Sequence, residues 1–319
     1  MSYLANHLSA LNTMPNYHLC FTSHKEVLFR DPEDMHHAFN SLCSSLFKTD
    51  SACSAYASMS DHHHGCYRTK NPVELIRTFR ESYTKYFNHK YFREGDFGER
   101  GAYLQEITGT KHFISAVTYV LTNPPHHGIT TTPFEYPYSS ANDYFRKELG
   151  KPFYSGRLLT FQEIRAALPR RAAFDPSWKM GPNRVFLSES VLDKGAVEAG
   201  FGTVQAFNYY MGRKSGEDWI KEQADENMSS PFTLENTEAP LIRANKTSVA
   251  ELLRNEKSRF RTVAITDLEL CSLIDNTFVP EYGKRSVYLL DEKEKLTIAE
   301  ALFKKYSHNA DQIKRCLVL

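Results

Sequence analysis

The 319-residue sequence predicts an α+β domain, with a mainly antiparallel sheet covered by helices on one side, followed by a mostly α-helical region. Short β-rich runs alternate with apolar residues at helical spacing up to residue 150. Two of these runs are separated by a two-residue turn, which is typical of a hairpin and of antiparallel pairing. Beyond residue 150 the patterns are helical. We therefore divide the chain into residues 1–150 and residues 151–319.

The first half has the order strand, helix, strand, strand, helix, strand, helix. Pro72 suits the first turn of the second helix, whereas Thr110 is available to cap the third helix and Asn123-Pro124 to end it. The predicted strands cover residues 17–23, 52–59, 62–68 and 102–107, and the predicted helices cover 32–47, 72–90 and 110–122. Residues 133–144 are predicted to form a loop that closes the unit.

The second half shows separate helical patterns at residues 160–167, 188–198, 204–210, 215–226 and 248–256. The pattern of the segment 291–319 predicts two helices separated by residues 307–309, and this spacing is compatible with a helix-turn-helix. Its last helix would present Gln312, Lys314 and Arg315 to duplex DNA. A plain helical cap on the domain fits the same pattern.

The charge balance excludes a protein that is strongly basic as a whole, and the cysteine spacing excludes a small secreted domain held by disulfides. Lys and Arg number 39 against 38 Asp and Glu, so any DNA-binding surface must come from local clusters of charge. The six cysteines are far apart, which indicates reduced thiols. The first 20 residues resemble neither a signal peptide nor a membrane anchor, and we expect a cytoplasmic protein that does not bind membranes.

Three consecutive histidines, His62 to His64, follow the predicted hairpin turn. Successive side chains of a strand point to opposite faces, so His62 and His64 would project together while His63 points away. Two imidazoles on one face suit a divalent metal ion. The alternative is a solvated, histidine-rich turn.

Tyr119 and Asn123 lie four residues apart on the third predicted helix, and therefore on one face of it. A nucleophilic phenol beside an amide oxygen that could complete the coordination of a metal fits a phosphoryl-transfer site. The alternative is core packing, because Tyr119 is also at helical spacing with Phe113, Ala116 and Val120.

The helix at residues 72–90 interleaves cations with aromatic rings. Such a face can pair with phosphates and stack on unpaired bases, so it predicts a DNA-binding surface made of Arg77, Arg80, Tyr83, Lys85 and Tyr86. An amphipathic helix with a solvated charged side, burying Leu75, Ile76, Phe79 and Phe87, is an equally good interpretation.

Three motifs, MSDHHHGCY, YVLTNPPHHG and YPYSSANDY, occur in the order and at about the separations found in one family of enzymes. From about Met14 to Tyr144, the chain resembles the REP-associated tyrosine transposases of the HUH endonuclease superfamily. It departs from their pattern at Ser60 and Asp61, where proline and asparagine are usual, and at His63 and Tyr138. Gly65-Cys66 replaces an apolar pair, which affects the expected strand register.

The resemblance implies a ferredoxin-like (RRM-like) HUH nuclease domain. It implies that His62 and His64 bind Mg²⁺ or Mn²⁺, with Asn123 as a third ligand, and that Tyr119 is the nucleophile. The activity would be cleavage of single-stranded or hairpin DNA through a 5′-phosphotyrosine intermediate, followed by rejoining, in a homodimer. Two other functions fit the same residues: a non-catalytic DNA-binding regulator on a transposase-like scaffold, and a histidine-rich metal-binding protein unrelated to nucleic acid.

Overall fold

A computed structural model describes residues 14–23, 26–96, 102–212, 265–306 and 310–319. The first half has the predicted order of elements, which confirms the α+β prediction. Its elements are β1 (Asn16–Thr22), α1 (Pro32–Lys48), β2 (Ala52–Met59), β3 (His62–Arg68), α2 (Pro72–Tyr91), β4 (Tyr103–Ile107) and α3 (Gly109–His126).

The four strands form one sheet in the order β2-β3-β1-β4. Every neighbouring pair is antiparallel, and the βαββαβ order of the elements up to β4 is the ferredoxin-like arrangement. The β1–β3 register places Cys20 opposite His64 and Leu19 opposite Gly65, and it continues without a shift through Cys66. Gly65-Cys66 therefore leaves the register at the histidines intact.

Helices cover both faces of the sheet, which corrects the prediction that they cover one. Helices α1 and α2 share a core with Leu19 and Phe21 of β1, whereas α3 shares another with Ala57 and Cys66. The reason is that every residue of β3 is buried. Because successive side chains alternate between the faces, a strand buried along its length needs a packed layer on each side.

Local sequence signals fix where α1 and α2 begin. The side chain of Asp31 accepts a hydrogen bond from the backbone N–H of Asp34, and Pro32 occupies the first turn. Asn71 caps α2 in the same way, with Pro72 after it. These two helices therefore start at the residues that the sequence predicts.

Helix α3 begins earlier and ends later than predicted. Its N-cap residue is Thr108 rather than Thr110, and its last turn includes Pro124 and Pro125. A proline removes one backbone hydrogen bond of a helix, but surrounding packing can hold the helix together through that loss, and Pro124 is buried here. Asn123 therefore lies inside the helix, on the same face as Tyr119.

In the part of the second half that the structure describes, the regular elements are helices, as predicted. Its α-helices of four or more residues are α4 (Phe161–Ala167), α5 (Ser188–Val191), α6 (Lys194–Phe201), α7 (Val204–Met211), α8 (Asp267–Leu273), α9 (Glu292–Tyr306) and α10 (Ala310–Leu317), and a π-helix (Ile274–Phe278) directly follows α8. The predicted helix at 188–198 is two helices, because Leu192 is extended and Asp193 caps α6. The predictions at 215–226 and 248–256 lie outside the described residues.

These helices pack against several parts of the first half. Helices α6 and α7 share a core with α3, α4 packs against Cys43 of α1, and α8, α9 and α10 form a separate cluster that includes Val27. The division at residue 150 remains a prediction.

All six cysteines are buried free thiols, as expected. None of the helices in the described parts of the chain is both long and apolar enough to cross a bilayer.

Gly65 leaves room for the Tyr67 side chain. A Cβ atom added at Gly65 would lie 2.3 Å from the Tyr67 Oη atom, and that hydroxyl contacts His63 Nε2 at 2.7 Å. We expect Gly65→Ala to lower the free energy of unfolding by about 1–3 kcal/mol, because the buried Tyr67 ring must move out of its site. Chemical denaturation measures this loss.

Gly195→Ala is the matched control, since Gly195 lies in α6 and a Cβ atom added there meets nothing within 4 Å. This variant should be as stable as the wild type or slightly more stable. Equal stability of Gly65→Ala and Gly195→Ala would contradict the close packing of Tyr67 over Gly65.

Candidate functional site

The histidines of β3 point to the two faces predicted by strand alternation. His62 and His64 face α3, with their ring centroids 5.1 Å apart. His63 points to the other face, where its ring lies 5.3 Å from that of Phe79 in α2. The geometric part of the prediction is therefore confirmed, while the role of the two histidines as metal ligands remains a prediction.

Helix α3 brings Tyr119 and Asn123 to these histidines. His62 Nε2 lies 3.1 Å from Asn123 Oδ1, and the His64 ring centroid lies 5.4 Å from that of Tyr119. Two residues of a hairpin and two residues of a later helix thus meet on one face of the sheet. The phosphoryl transfer predicted from the sequence needs these four side chains close together.

Strand β1 adds two residues that the sequence analysis did not single out. His18 Nε2 lies 3.1 Å from His64 Nδ1, and Cys20 Sγ lies 3.7 Å from His64 Nε2. Burial, with His112 nearby, lowers the pKa of His18 to about 3, and burial also holds the pKa of His64 well below its usual range. Both rings are therefore neutral at physiological pH, and the neutral ring is the form that binds metals.

Asp61 orients His62. Its Oδ1 atom lies 2.6 Å from His62 Nδ1. Burial alone would raise the pKa of Asp61, but His62 and Arg315 hold it below its usual range, so Asp61 is a carboxylate that accepts the Nδ1–H. In a neutral ring that carries Nδ1–H, the lone pair of Nε2 faces Asn123 Oδ1, and in a protonated ring Nε2–H donates to that oxygen.

With the neutral ring, a divalent cation between these two atoms would be bound by both of them. Two ligands at about 2.1 Å in adjacent octahedral positions lie about 3 Å apart, which matches the separation of His62 Nε2 and Asn123 Oδ1. In the described residues, no group of three or more His, Cys, Asp or Glu side chains is placed to hold an ion. Binding of an ion by His62, His64 and Asn123 stays a prediction, and in this conformation the two ring nitrogens of His64 contact His18 and Cys20.

The site is closed to solvent in this conformation. Tyr119 is 7% exposed, and its Oη atom is buried. His62, His64 and Asn123 are each 2% exposed or less. A DNA phosphate can therefore reach Tyr119 only after neighbouring groups move apart.

The five residues predicted to bind DNA lie on α2, across the sheet from the histidine site. Tyr83 is a correction, because its ring is buried and its hydroxyl donates to the Leu28 carbonyl at 2.7 Å, so it cannot stack on a base. Tyr86 is half-buried and stacks on His37. Arg77 is exposed and forms ion pairs with two glutamates of its own helix. DNA binding by Arg77, Arg80, Lys85 and Tyr86 remains a prediction.

The last helix does not present the residues expected of a recognition helix. Gln312 Nε2 and the Arg315 guanidinium both donate to the Asp267 carboxylate, and Arg315 does so through two nitrogens. Lys314 is exposed. Both side chains are used within the protein, which favours the alternative of a plain helical cap, and DNA contact by this helix stays a prediction.

A cavity of about 690 Å³ lies beside the edge of β2 that pairs with Ser139, and it does not contain the histidine site. Aromatic rings and charged groups line it, among them His36, Phe39, Tyr56, Tyr138, Asp143 and Arg146. The candidate site is therefore defined by the contacts of its side chains and not by an open pocket.

No family model and no curated protein matches the sequence. Among solved structures, the chain is similar to a REP-associated tyrosine transposase bound to a REP hairpin, with 12% sequence identity and a TM-score of 0.35. That similarity covers 46% of this chain and 93% of the other. At this level it carries no inference about activity, so the function proposed below rests on side-chain geometry.

Proposed function

We propose that the protein is a metal-dependent nuclease and strand transferase that cuts single-stranded or hairpin DNA through a covalent link to Tyr119. The observation that carries the proposal is the meeting of His62, His64, Asn123 and Tyr119 on one face of the sheet. A pair of imidazoles, an amide oxygen and a phenol are the components of metal-assisted phosphoryl transfer.

His62, His64 and Asn123 would hold Mg²⁺ or Mn²⁺, which when bound neutralises charge on the phosphate oxygens. Two imidazole ligands favour Mn²⁺ over Mg²⁺, since Mg²⁺ prefers oxygen ligands. Asp61 fixes which nitrogen of His62 is available, as carboxylates do for metal-binding histidines. The protein therefore supplies both the ligands and their orientation.

Tyr119 would supply the nucleophile. Its Oη atom would form a bond to phosphorus as the bond from phosphorus to the 3′ oxygen breaks; the phenol proton would pass to water or to a neighbouring base, and the 3′ oxygen would take a proton from water as it leaves. The product is a 5′-phosphotyrosine and a free 3′ hydroxyl. A 3′ hydroxyl can later displace Tyr119, and the strand is rejoined without ATP.

A second function, a non-catalytic DNA-binding regulator, is favoured by one observation. The hydroxyl of Tyr119 is buried, which a regulator would tolerate and a nuclease must overcome by opening the site. The proposal for the nuclease includes a homodimer in which two such sites act together, and the proposal for the regulator does not. Formation of a covalent complex distinguishes the two functions.

The experiment that tests the proposal incubates the full chain with labelled single-stranded hairpin DNA and Mn²⁺. We expect a complex that survives denaturing electrophoresis with the wild type. The variants His62→Ala and His64→Ala should each form at most about one hundredth as much complex, because the ion that neutralises the phosphate is lost.

His89→Ala is the matched control, since His89 is an exposed histidine of α2. It should form the complex at the wild-type level. A complex that also forms with His62→Ala and His64→Ala would defeat the metal assignment, and no complex with the wild type in Mn²⁺ or Mg²⁺ would favour the regulator.

A further inference from the structure

The hairpin turn before the histidines is held by the C-terminal helices. Ser60 Oγ donates to Asp267 Oδ2 at 2.7 Å, and Asp267 is the first residue of α8. Arg315 of α10 binds the same carboxylate, and its Nε atom lies 3.8 Å from Asp61 Oδ2. Two residues of the turn thus contact two residues that lie more than 200 positions later.

The backbone of this turn is fixed from the other side as well. The N–H groups of Leu28 and Phe29 donate to the Ser60 carbonyl at 2.6 and 3.0 Å. The Asp61 carbonyl accepts from the Ser23 N–H at 3.1 Å and from the Thr22 hydroxyl at 3.0 Å. With the backbone held, the remaining freedom of the turn is the orientation of the Asp61 side chain.

Asp61 divides its two carboxylate oxygens between the candidate site and the C-terminal helices. Oδ1 contacts His62 Nδ1, and Oδ2 faces Arg315. A carboxylate that accepts from the far nitrogen of a metal-binding histidine sets the tautomer and the orientation of the ring. Whatever orients Asp61 therefore orients His62.

We propose that Arg315 is a positioning residue, which holds Asp61 in place and through it directs the Nε2 atom of His62 into the metal site. The part of this inference that concerns a bound metal rests on the proposed function. The two C-terminal helices α8 and α10 are then the outer support of the site rather than a DNA-recognition unit.

The charges in this cluster explain why Arg315 is suited to the role. Two carboxylates, Asp61 and Asp267, face one guanidinium, and the side chains of Arg315 and Asp267 are only 16% and 9% exposed. Removal of Arg315 leaves the shielded carboxylates of Asp61 and Asp267 without the guanidinium that both of them face. Like charges repel strongly where water is excluded, so Asp61 would turn away from its present position.

The test measures Mn²⁺ binding to the full-length variants Arg315→Ala, Arg315→Lys and Asp61→Asn by titration calorimetry. We expect Arg315→Ala and Asp61→Asn each to weaken Mn²⁺ binding by about tenfold, the lower end of the effect of removing an outer partner of a metal ligand. Arg315→Lys keeps the positive charge but lacks the planar guanidinium with its several N–H donors, so it should weaken Mn²⁺ binding less. In the Asp61→Asn background, Arg315→Ala should cause no further loss.

Leu302→Ala separates positioning from general loss of stability. Leu302 is buried in the same C-terminal cluster as Cys316, so the substitution weakens that cluster without touching the turn. It should leave the Mn²⁺ affinity within about twofold of the wild type while it lowers the melting temperature. If Leu302→Ala weakens Mn²⁺ binding as much as Arg315→Ala does, the positioning role is overturned.

A second measurement needs no metal. Nitrogen NMR of the His62 ring, in the wild type and in Arg315→Lys, reports which nitrogen carries the proton. We expect the Nδ1–H form in the wild type and a measurable fraction of the Nε2–H form in the variant. An unchanged His62 ring overturns the role of Arg315, whereas failure of the wild type to bind Mn²⁺ overturns the proposed function and leaves the NMR result to decide the positioning.

Discussion

A Tyr119→Phe variant is expected to form no covalent complex with single-stranded hairpin DNA. Phenylalanine lacks the oxygen that would bond to phosphorus, while its ring can keep the packing against His64, 5.4 Å away between centroids. The affinity for Mn²⁺ should stay within about twofold of the wild type, because Tyr119 is not one of the proposed ligands. Denaturing electrophoresis and calorimetry measure the two quantities on the same preparations.

Tyr209→Phe is the control for Tyr119→Phe, since Tyr209 is 60% exposed on α7. It should form the covalent complex as the wild type does. A complex of normal yield in Tyr119→Phe, mapped by mass spectrometry to another tyrosine, would show that Tyr119 is not the nucleophile.

An Arg30→Ala variant is expected to have the largest effect on stability, a loss of about 3–5 kcal/mol in the free energy of unfolding. Arg30 is completely buried, binds Asp275 through two nitrogens at 2.9 Å and donates to the Cys316 carbonyl at 2.8 Å. Its removal leaves the Asp275 carboxylate without its cation and a cavity where the C-terminal helices meet the segment before α1. Chemical denaturation of the full chain measures the loss.

Lys304→Ala provides the comparison, because Lys304 pairs with Glu300 on the surface of α9 with both side chains more than 70% exposed. That variant should change the free energy of unfolding by less than about 0.5 kcal/mol. A loss below about 1 kcal/mol in Arg30→Ala would mean that Arg30 does not hold the two regions together.

Much of the candidate site follows from short-range periodicity. A strand places His62 and His64 on one face, and a helix places Tyr119 and Asn123 on one face, whatever the rest of the chain does. Only the family resemblance implies that these two faces meet, and periodicity does not. That depends on the packing of α3 against the sheet, which no local pattern records.

The residues that were missed depend on long-range pairing. His18 and Cys20 are two apart on β1, so alternation alone places them on one face, but only the β1–β3 register puts Cys20 opposite His64. Asp61 was noted only as a departure from the family pattern. Its partner Arg315 lies in the last helix, and nothing in the sequence between them indicates the contact.

Tyr83 shows the opposite case, in which a local signal was available. Phe79, Tyr83 and Phe87 are spaced four residues apart, so they form one buried line along α2. Reading Tyr83 with its aromatic neighbours places it in the core, whereas reading it with Arg77 and Lys85 places it on the surface. The first of these readings matches the structure.

The distance along the chain between the turn and its C-terminal support bears on how the protein is made. Arg30 and Cys316 contact each other although they are 286 positions apart in the sequence, and Arg315 contacts Asp61 in the turn between β2 and β3. At about 5–20 residues per second, roughly 15–60 s of translation separate the synthesis of these partners. During that interval the nascent chain carries both histidines, Tyr119 and Asn123, but the turn before the histidines has none of its contacts with Asp267 and Arg315.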